Sequence, residues 1–139
     1  MDKMIFKNPA STVDLIVERE EGVILIKRKN LPYREMWAIP GGFIEYGKET
    51  LEEAAKRELR EETGLEALGL RFMQVYSNPN RDPRGHVIAH VYVAEVKGKP
   101  KAGDDAKAVK FFPINSLPEL AFDHDKILKD YRVWKKNVQ

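Results

Sequence analysis

The chain has 139 residues, enough for one domain with a substantial hydrophobic core. Its 24 basic residues barely exceed its 22 acidic ones, which argues against a nucleic-acid-binding or membrane-binding surface. There is no cysteine, which excludes a disulfide framework, a thiolate nucleophile and a cysteine-based zinc site.

No apolar run approaches the ~20 residues needed to span a bilayer. The start, MDKMIFKNPAS, lacks the apolar core of a secretory signal, so the expected location is the cytoplasm. Residues 12–18 and 23–28 predict two strands joined by the turn Glu20-Glu21-Gly22. A polar loop with Pro32 follows. Trp37-Ala38-Ile39 is a short strand leading into Pro40-Gly41-Gly42. One or two strands are expected over 67–77, then the loop SNPNRDPRG, then a strand over 86–96. A turn-rich loop over 98–105 precedes a strand over 107–112. A final helix is expected over about 123–135, with Ile127, Leu128, Tyr131 and Trp134 at helical spacing. No linker, repeat or low-complexity tract divides the chain, so residues 1–139 are expected to form a single domain. Strands interspersed with two helices suggest a mixed sheet between helical layers, an α/β fold.

The other helix carries the chemistry. Thr50 is the candidate N-cap, with Glu53 three residues on in a capping-box pattern. Gly64 is a natural residue just past the end, so the helix should stop near Thr63. Leu51, Ala54, Ala55 and Leu59 form its apolar stripe, with Leu65 just beyond. Glu58, Glu61 and Glu62 fall at i, i+3 and i+4 and should converge on one face. Glu58 and Glu62 are like charges at i, i+4, costing about 0.2–0.5 kcal/mol. Glu61 and Glu62 also lie in the last turn, where the helix dipole opposes negative charge. A bound cation would relieve both. The plainer alternative is a solvated acidic face with an Arg57–Glu61 ion pair.

The residues around these glutamates resemble the Nudix box. That pattern runs Gly, five residues, Glu, seven residues, then Arg-Glu-apolar-x-Glu-Glu-x-Gly-apolar. Residues Arg57-Glu58-Leu59-Arg60-Glu61-Glu62-Thr63-Gly64-Leu65 match every helical position, and Glu49 lies eight residues before Arg57. The departure is at the front, where six residues rather than five separate Gly42 from Glu49. The resemblance implies a Nudix-type α/β/α sandwich with a mixed β-sheet. It implies water attack on a phosphorus of a diphosphate linkage, with Mg2+ or Mn2+ as cofactor. The ligands it implies are Glu58, Glu61, Glu62 and the Gly41 carbonyl. Hard cations of this kind favour such oxygen donors. Arg57 would orient the carboxylates, pairing with Glu49 or Glu61. The general base is expected to be Glu61 or Asp105, the latter in the loop Gly103-Asp104-Asp105-Ala106, which also reads as an ordinary turn.

Substrate choice is expected to lie outside the box. The loop Arg81-Asp82-Pro83-Arg84-Gly85-His86 offers two guanidiniums able to grip phosphate or ribose oxygens, unless Asp82 and Arg84 simply pair. Arg28 is a further phosphate-contact candidate, and Tyr33 or Phe122 could stack a base. With Leu120-Ala121-Phe122-Asp123-His124, these segments resemble the ADP-ribose pyrophosphatase branch of the family. The expectation is therefore hydrolysis of ADP-ribose to AMP and ribose 5-phosphate. The rival expectations are an oxidised-dNTP pyrophosphohydrolase of the 8-oxo-dGTP type and a non-catalytic nucleotide sensor. His86 and His90 are about 13 Å apart on a straight strand and cannot share a metal. They read as packing or hydrogen-bonding groups, and His124 is assigned no role. The expected partner is a small nucleotide, with a homodimer as the default assembly.

Overall fold

A computed structural model describes residues 7–103 and 106–138. The elements in order are β1 (Ala10–Ile16), β2 (Glu18–Arg19), β3 (Gly22–Arg28), β4 (Trp37–Ala38), β5 (Gly41–Phe43), α1 (Leu51–Thr63), β6 (Glu66–Tyr76), β7 (Val87–Lys97), β8 (Ala106–Phe112) and α2 (His124–Asn137). Every element expected from the sequence is present. The region over 67–77 is one strand, with irregular register at two points along β7.

The first sheet has the order β5-β1-β7-β6 and is mixed, because β1 and β7 run parallel. The remaining strands form a second sheet in which β3 pairs antiparallel with β2, β4 and β8. The two strands expected at the start of the chain therefore meet only at Val17 and Glu18, and the rest of the first lies in the other sheet. The chain leaves the first sheet at Val17, and Glu18–Arg19 forms the short hairpin with β3.

Alternation along the strands places a helix on each face. On β1, Val13 and Leu15, with Val17 beyond them, pack with Ala54, Ala55, Leu59 and Leu65 around α1. Ile16 points the other way, joining Ile127, Leu128 and Tyr131 of α2. On β3, Ile24 goes to the α1 side, while Val23 and Leu25 go to the α2 side. This period-two segregation makes an α/β/α sandwich out of apolar strands. Among the described residues, no helix is long and apolar enough to cross a membrane.

Helix α1 begins and ends as its local chemistry dictates. The Thr50 hydroxyl accepts from the Glu53 N–H, and the Glu53 carboxylate accepts from the Thr50 N–H. Gly64 closes the helix in the left-handed conformation, φ 74°, and its N–H donates to the Arg60 carbonyl. The helix is thereby fixed in length, and its last turn faces the Gly41-Gly42 strand.

Candidate active site

A cavity of about 370 Å3 opens where β1, β3, β5 and the last turns of α1 meet. Its volume is in the range of small-molecule sites. Its lining includes Asp14, Gly41, Gly42, Glu58, Glu62 and Asp82 together with Arg28, Arg84 and Phe122. The cavity is thus lined by both carboxylates and guanidiniums.

The placing of the box carboxylates depends on close backbone approach. Gly41 and Gly42 pair with Asp14 and Val13 across β1 and β5. A Cβ on Gly42 would stand 2.6 Å from the Glu58 carboxylate, and one on Gly41 would strike the Val13 carbonyl and the Asp14 side chain. The Gly41 N–H donates to Glu62 at 3.2 Å. Gly42→Ala is therefore expected to displace Glu58 and lower kcat/KM by about 100-fold, the scale of a small misplacement in a site. Its backbone is not left-handed, so the melting temperature should change little. Wild-type kcat/KM in this variant would show that the approach is unimportant.

Arg57 organises the carboxylates. Its guanidinium donates to Glu49 at 2.6 and 3.0 Å, to Glu58 at 2.7 Å, to Glu61 at 3.1 Å and to the Phe43 carbonyl at 3.1 Å. The bond from Arg57 holds the Glu49 carboxyl below its usual range, and the same bonds hold the guanidinium proton more tightly. The pairing of Arg57 with Glu49 and Glu61 matches the expectation, and Glu58 joins it. The extra residue in the front loop is absorbed in an exposed turn. Tyr46 is 94% exposed there, Gly47 takes φ 72°, and the Glu45 N–H donates to Glu49. The loop is anchored through Phe43 and Glu45, so the added length projects into solvent.

The three box glutamates do not converge as expected. Among the described residues, no three histidine, aspartate or glutamate side chains stand close enough to hold a metal ion as they lie. Arg57 draws Glu58 and Glu61 toward itself, while Glu62 turns to the Gly41 N–H. Glu58 and Glu62 border the cavity; Glu61 does not, but shares with Glu62 a neighbouring recess lined by Lys101 and Gly103. The donor set still suits a hard divalent cation. It is made of carboxylate and backbone oxygens, and the missing Cβ of Gly42 leaves room directly against Glu58. Asp105 lies outside the described residues. Gly103, two residues before it, abuts the Glu61 carbonyl so closely that a Cβ would collide with it.

Two of the three expected arginines reach the cavity. The Arg28 Nε donates to the Pro32 carbonyl at 2.7 Å, and its guanidinium lies 5.1 Å from the Phe122 ring centroid. Burial lowers the Arg28 pKa. Arg84 donates to Asp82 at 2.8 and 3.0 Å and lies 4.7 Å from Phe43 and 5.5 Å from Phe122. Burial alone would raise the Asp82 carboxyl, but the Arg84 bonds outweigh it and hold the carboxyl low. Arg81 is the correction. Its side chain is 4% exposed and is held in a two-point pair with Asp123 at 2.6 and 2.9 Å, so it fixes the loop to the start of α2 instead of facing a ligand. Tyr33 and Phe122 pack on each other at 4.7 Å. His86 and His90 bond the Ser77 and Thr12 carbonyls, in keeping with their structural reading.

Two residues bordering the cavity escaped the sequence reading. Asp14 is buried, and burial pushes its carboxyl up to about 7 against the opposing pull of Arg81. The signal was one charged residue inside the apolar run TVDLIV. His124 is buried at the start of α2, and burial pushes its imidazole down to about 3.

A glycine strand brought against helical carboxylates, with two guanidiniums lining the same cavity, defines an α/β protein built to receive an anionic ligand. The NUDIX domain model matches residues 8–131, and the chain belongs to that family. It is 54% identical over 132 residues to an ADP-ribose pyrophosphatase of Methanocaldococcus jannaschii, covering 94% of this chain and 78% of that protein. It is 31% identical over 137 residues to the ADPR responsive transcriptional repressor NtrR of Acinetobacter baylyi, covering 91% of this chain and 54% of the repressor. Among solved structures, the NUDIX domain of Shewanella oneidensis NrtR complexed with ADP ribose superposes with TM-score 0.80 at 30% identity, covering 92% of this chain and 89% of that one.

Proposed function

We propose that this chain hydrolyses ADP-ribose to AMP and ribose 5-phosphate with Mg2+ or Mn2+, residues 1–139 acting as one domain in the cytoplasm. The observation that carries the reading is the single cavity lined by Glu58 and Glu62 together with Arg28 and Arg84. The archaeal pyrophosphatase relative and the ADP-ribose-bound neighbour support it. In this reading Glu58, Glu62 and the Gly41 carbonyl hold the metal. When bound, the metal neutralises phosphate charge and lowers the pKa of water. Arg28 and Arg84 bind the phosphate and ribose oxygens and orient the diphosphate. The proton of the attacking water goes to Glu61 or Asp105. Glu61→Gln and Asp105→Asn divide that role, since the variant that loses the acidic limb of the pH–rate profile has lost the base.

The test is a substrate panel with each metal and identification of products. AMP and ribose 5-phosphate without pyrophosphate support the reading. Pyrophosphate released from an oxidised dNTP at higher kcat/KM overturns it in favour of a sanitising enzyme. The likeness to an ADPR-responsive repressor favours a second reading, a sensor, which requires ADP-ribose binding without metal-dependent turnover. Arg84→Ala is expected to raise KM for ADP-ribose by about tenfold, the scale of one charge-assisted hydrogen bond. An equal rise for a simple dNTP would remove Arg84 from substrate selection. The proposal includes a homodimer through β6, an edge strand exposing Leu68, Phe72 and Val75. Sedimentation equilibrium should give twice 16.0 kDa, and a monomer mass rejects this assembly.

A further inference from the structure

His124 borders the same cavity from the base of α2, with its ring 5.3 Å from Phe122. The Ile39 N–H meets its Nδ1 at 2.9 Å. A backbone N–H can only donate, so Nδ1 carries no proton and the ring's proton must sit on Nε2. Burial keeps the ring uncharged well below neutrality, although Asp123 pulls the other way. The tautomer is therefore set by the main chain. Among the described residues, Nε2 has no hydrogen-bond partner. No fully buried side-chain nitrogen or oxygen there is left without one, so Nε2 keeps some exposure, and His124 lines the cavity.

The surroundings hold this donor in place. The Arg81–Asp123 pair fixes the residue immediately before it. Phe122 adopts φ 54°, a left-handed conformation that is costly for an aromatic residue. That reversal buries Ala121 in the core while Phe122 and His124 both border the cavity. Arg28 and Arg84 flank the same Phe122 ring. The cavity therefore presents two charged donors and one uncharged donor of fixed direction.

We propose that His124 is a substrate-binding residue whose Nε2–H donates to a sugar or phosphate oxygen of the ligand held by Arg28 and Arg84. The inference rests on the reading of this cavity as the substrate site. Two substitutions separate it from a purely structural role. In His124→Asn, the amide oxygen sits where Nδ1 sits and keeps the Ile39 bond, but nothing reaches the Nε2 position. In His124→Gln, the amide nitrogen reaches the Nε2 position, but nothing accepts from Ile39.

The asparagine variant should melt close to the wild type, with KM raised about tenfold and kcat unchanged, as for loss of one uniformly made hydrogen bond. The glutamine variant should melt lower and keep KM near the wild-type value. Wild-type KM in the asparagine variant overturns the proposal, as does an equal rise in both variants. KM is read on whichever substrate the wild-type enzyme turns over best. Should nothing be turned over, the calorimetric Kd for ADP-ribose replaces it. A best substrate other than ADP-ribose thus defeats the functional reading, while the contrast between the two variants still decides the role of His124.

Discussion

Glu62→Gln is expected to lower kcat by about 1000-fold or more while leaving the protein folded. Glutamine has the same volume, and its amide oxygen can still accept from the Gly41 N–H, now held at 3.2 Å. What is lost is one of the negative charges that α1 turns toward the cavity. If those charges hold a divalent cation, the loss removes part of several kcal/mol of charge stabilisation. Each ~1.4 kcal/mol corresponds to a factor of ten in rate. Activity should recover partly as the Mg2+ or Mn2+ concentration is raised, because the defect is in holding the metal. Glu61→Gln should cost less where Asp105, not Glu61, takes the proton of the attacking water. The Glu61 side chain is 54% exposed, pairs with Arg57 at i, i+4 and, unlike Glu62, does not border the main cavity. The measurements are kcat against metal concentration for both variants, with thermal melts to confirm folding. Full activity of Glu62→Gln would remove it from the site, and a larger loss in Glu61→Gln would reverse the order drawn from the geometry.

The contrast between those two glutamates shows where sequence reading stops. Helix α1 was legible because everything that makes it is local: the Thr50–Glu53 capping box, the apolar stripe and the left-handed Gly64. Helix α2 was legible from the spacing of Ile127, Leu128, Tyr131 and Trp134. Side chains adjacent on a helix, however, separate according to distant partners. Glu62 finds Gly41 twenty-one residues away, and Glu61 stays with Arg57.

The loop arginines repeat the lesson. Arg81 and Arg84 are equivalent in sequence, but Asp123, forty-two residues on, captures Arg81. The division into two sheets was hidden for the same reason, since strand partners are set by non-local pairing. Asp14 and His124 stood out only as polar residues in or beside apolar runs. Their importance comes from burial, which no local pattern records. The lengthened front loop had the opposite character. Its irregularity in sequence is harmless because Tyr46–Lys48 projects into solvent.

Arg57→Ala is expected to lower kcat/KM by about 10–100-fold, the usual effect of removing a group that orients metal ligands. The guanidinium bonds three carboxylates and one main-chain carbonyl at once. Without it, Glu49 and Glu58, both largely buried, lose their bonds to Arg57, and the hold on Glu58 beside the glycine strand is weakened. The loss should also lower the melting temperature, because the Phe43 carbonyl tie between β5 and α1 goes with it. Arg57→Lys separates charge from geometry. An ammonium restores the positive charge but is compact, without a planar fork, and cannot reach Glu49, Glu58 and Phe43 together. It should therefore recover much of the stability and little of the activity. Full recovery of kcat/KM by lysine would mean that Arg57 acts only as a neighbouring charge. If alanine left the activity intact, the carboxylates would not need orienting, and the assignment of Glu58 to the metal would fall with it.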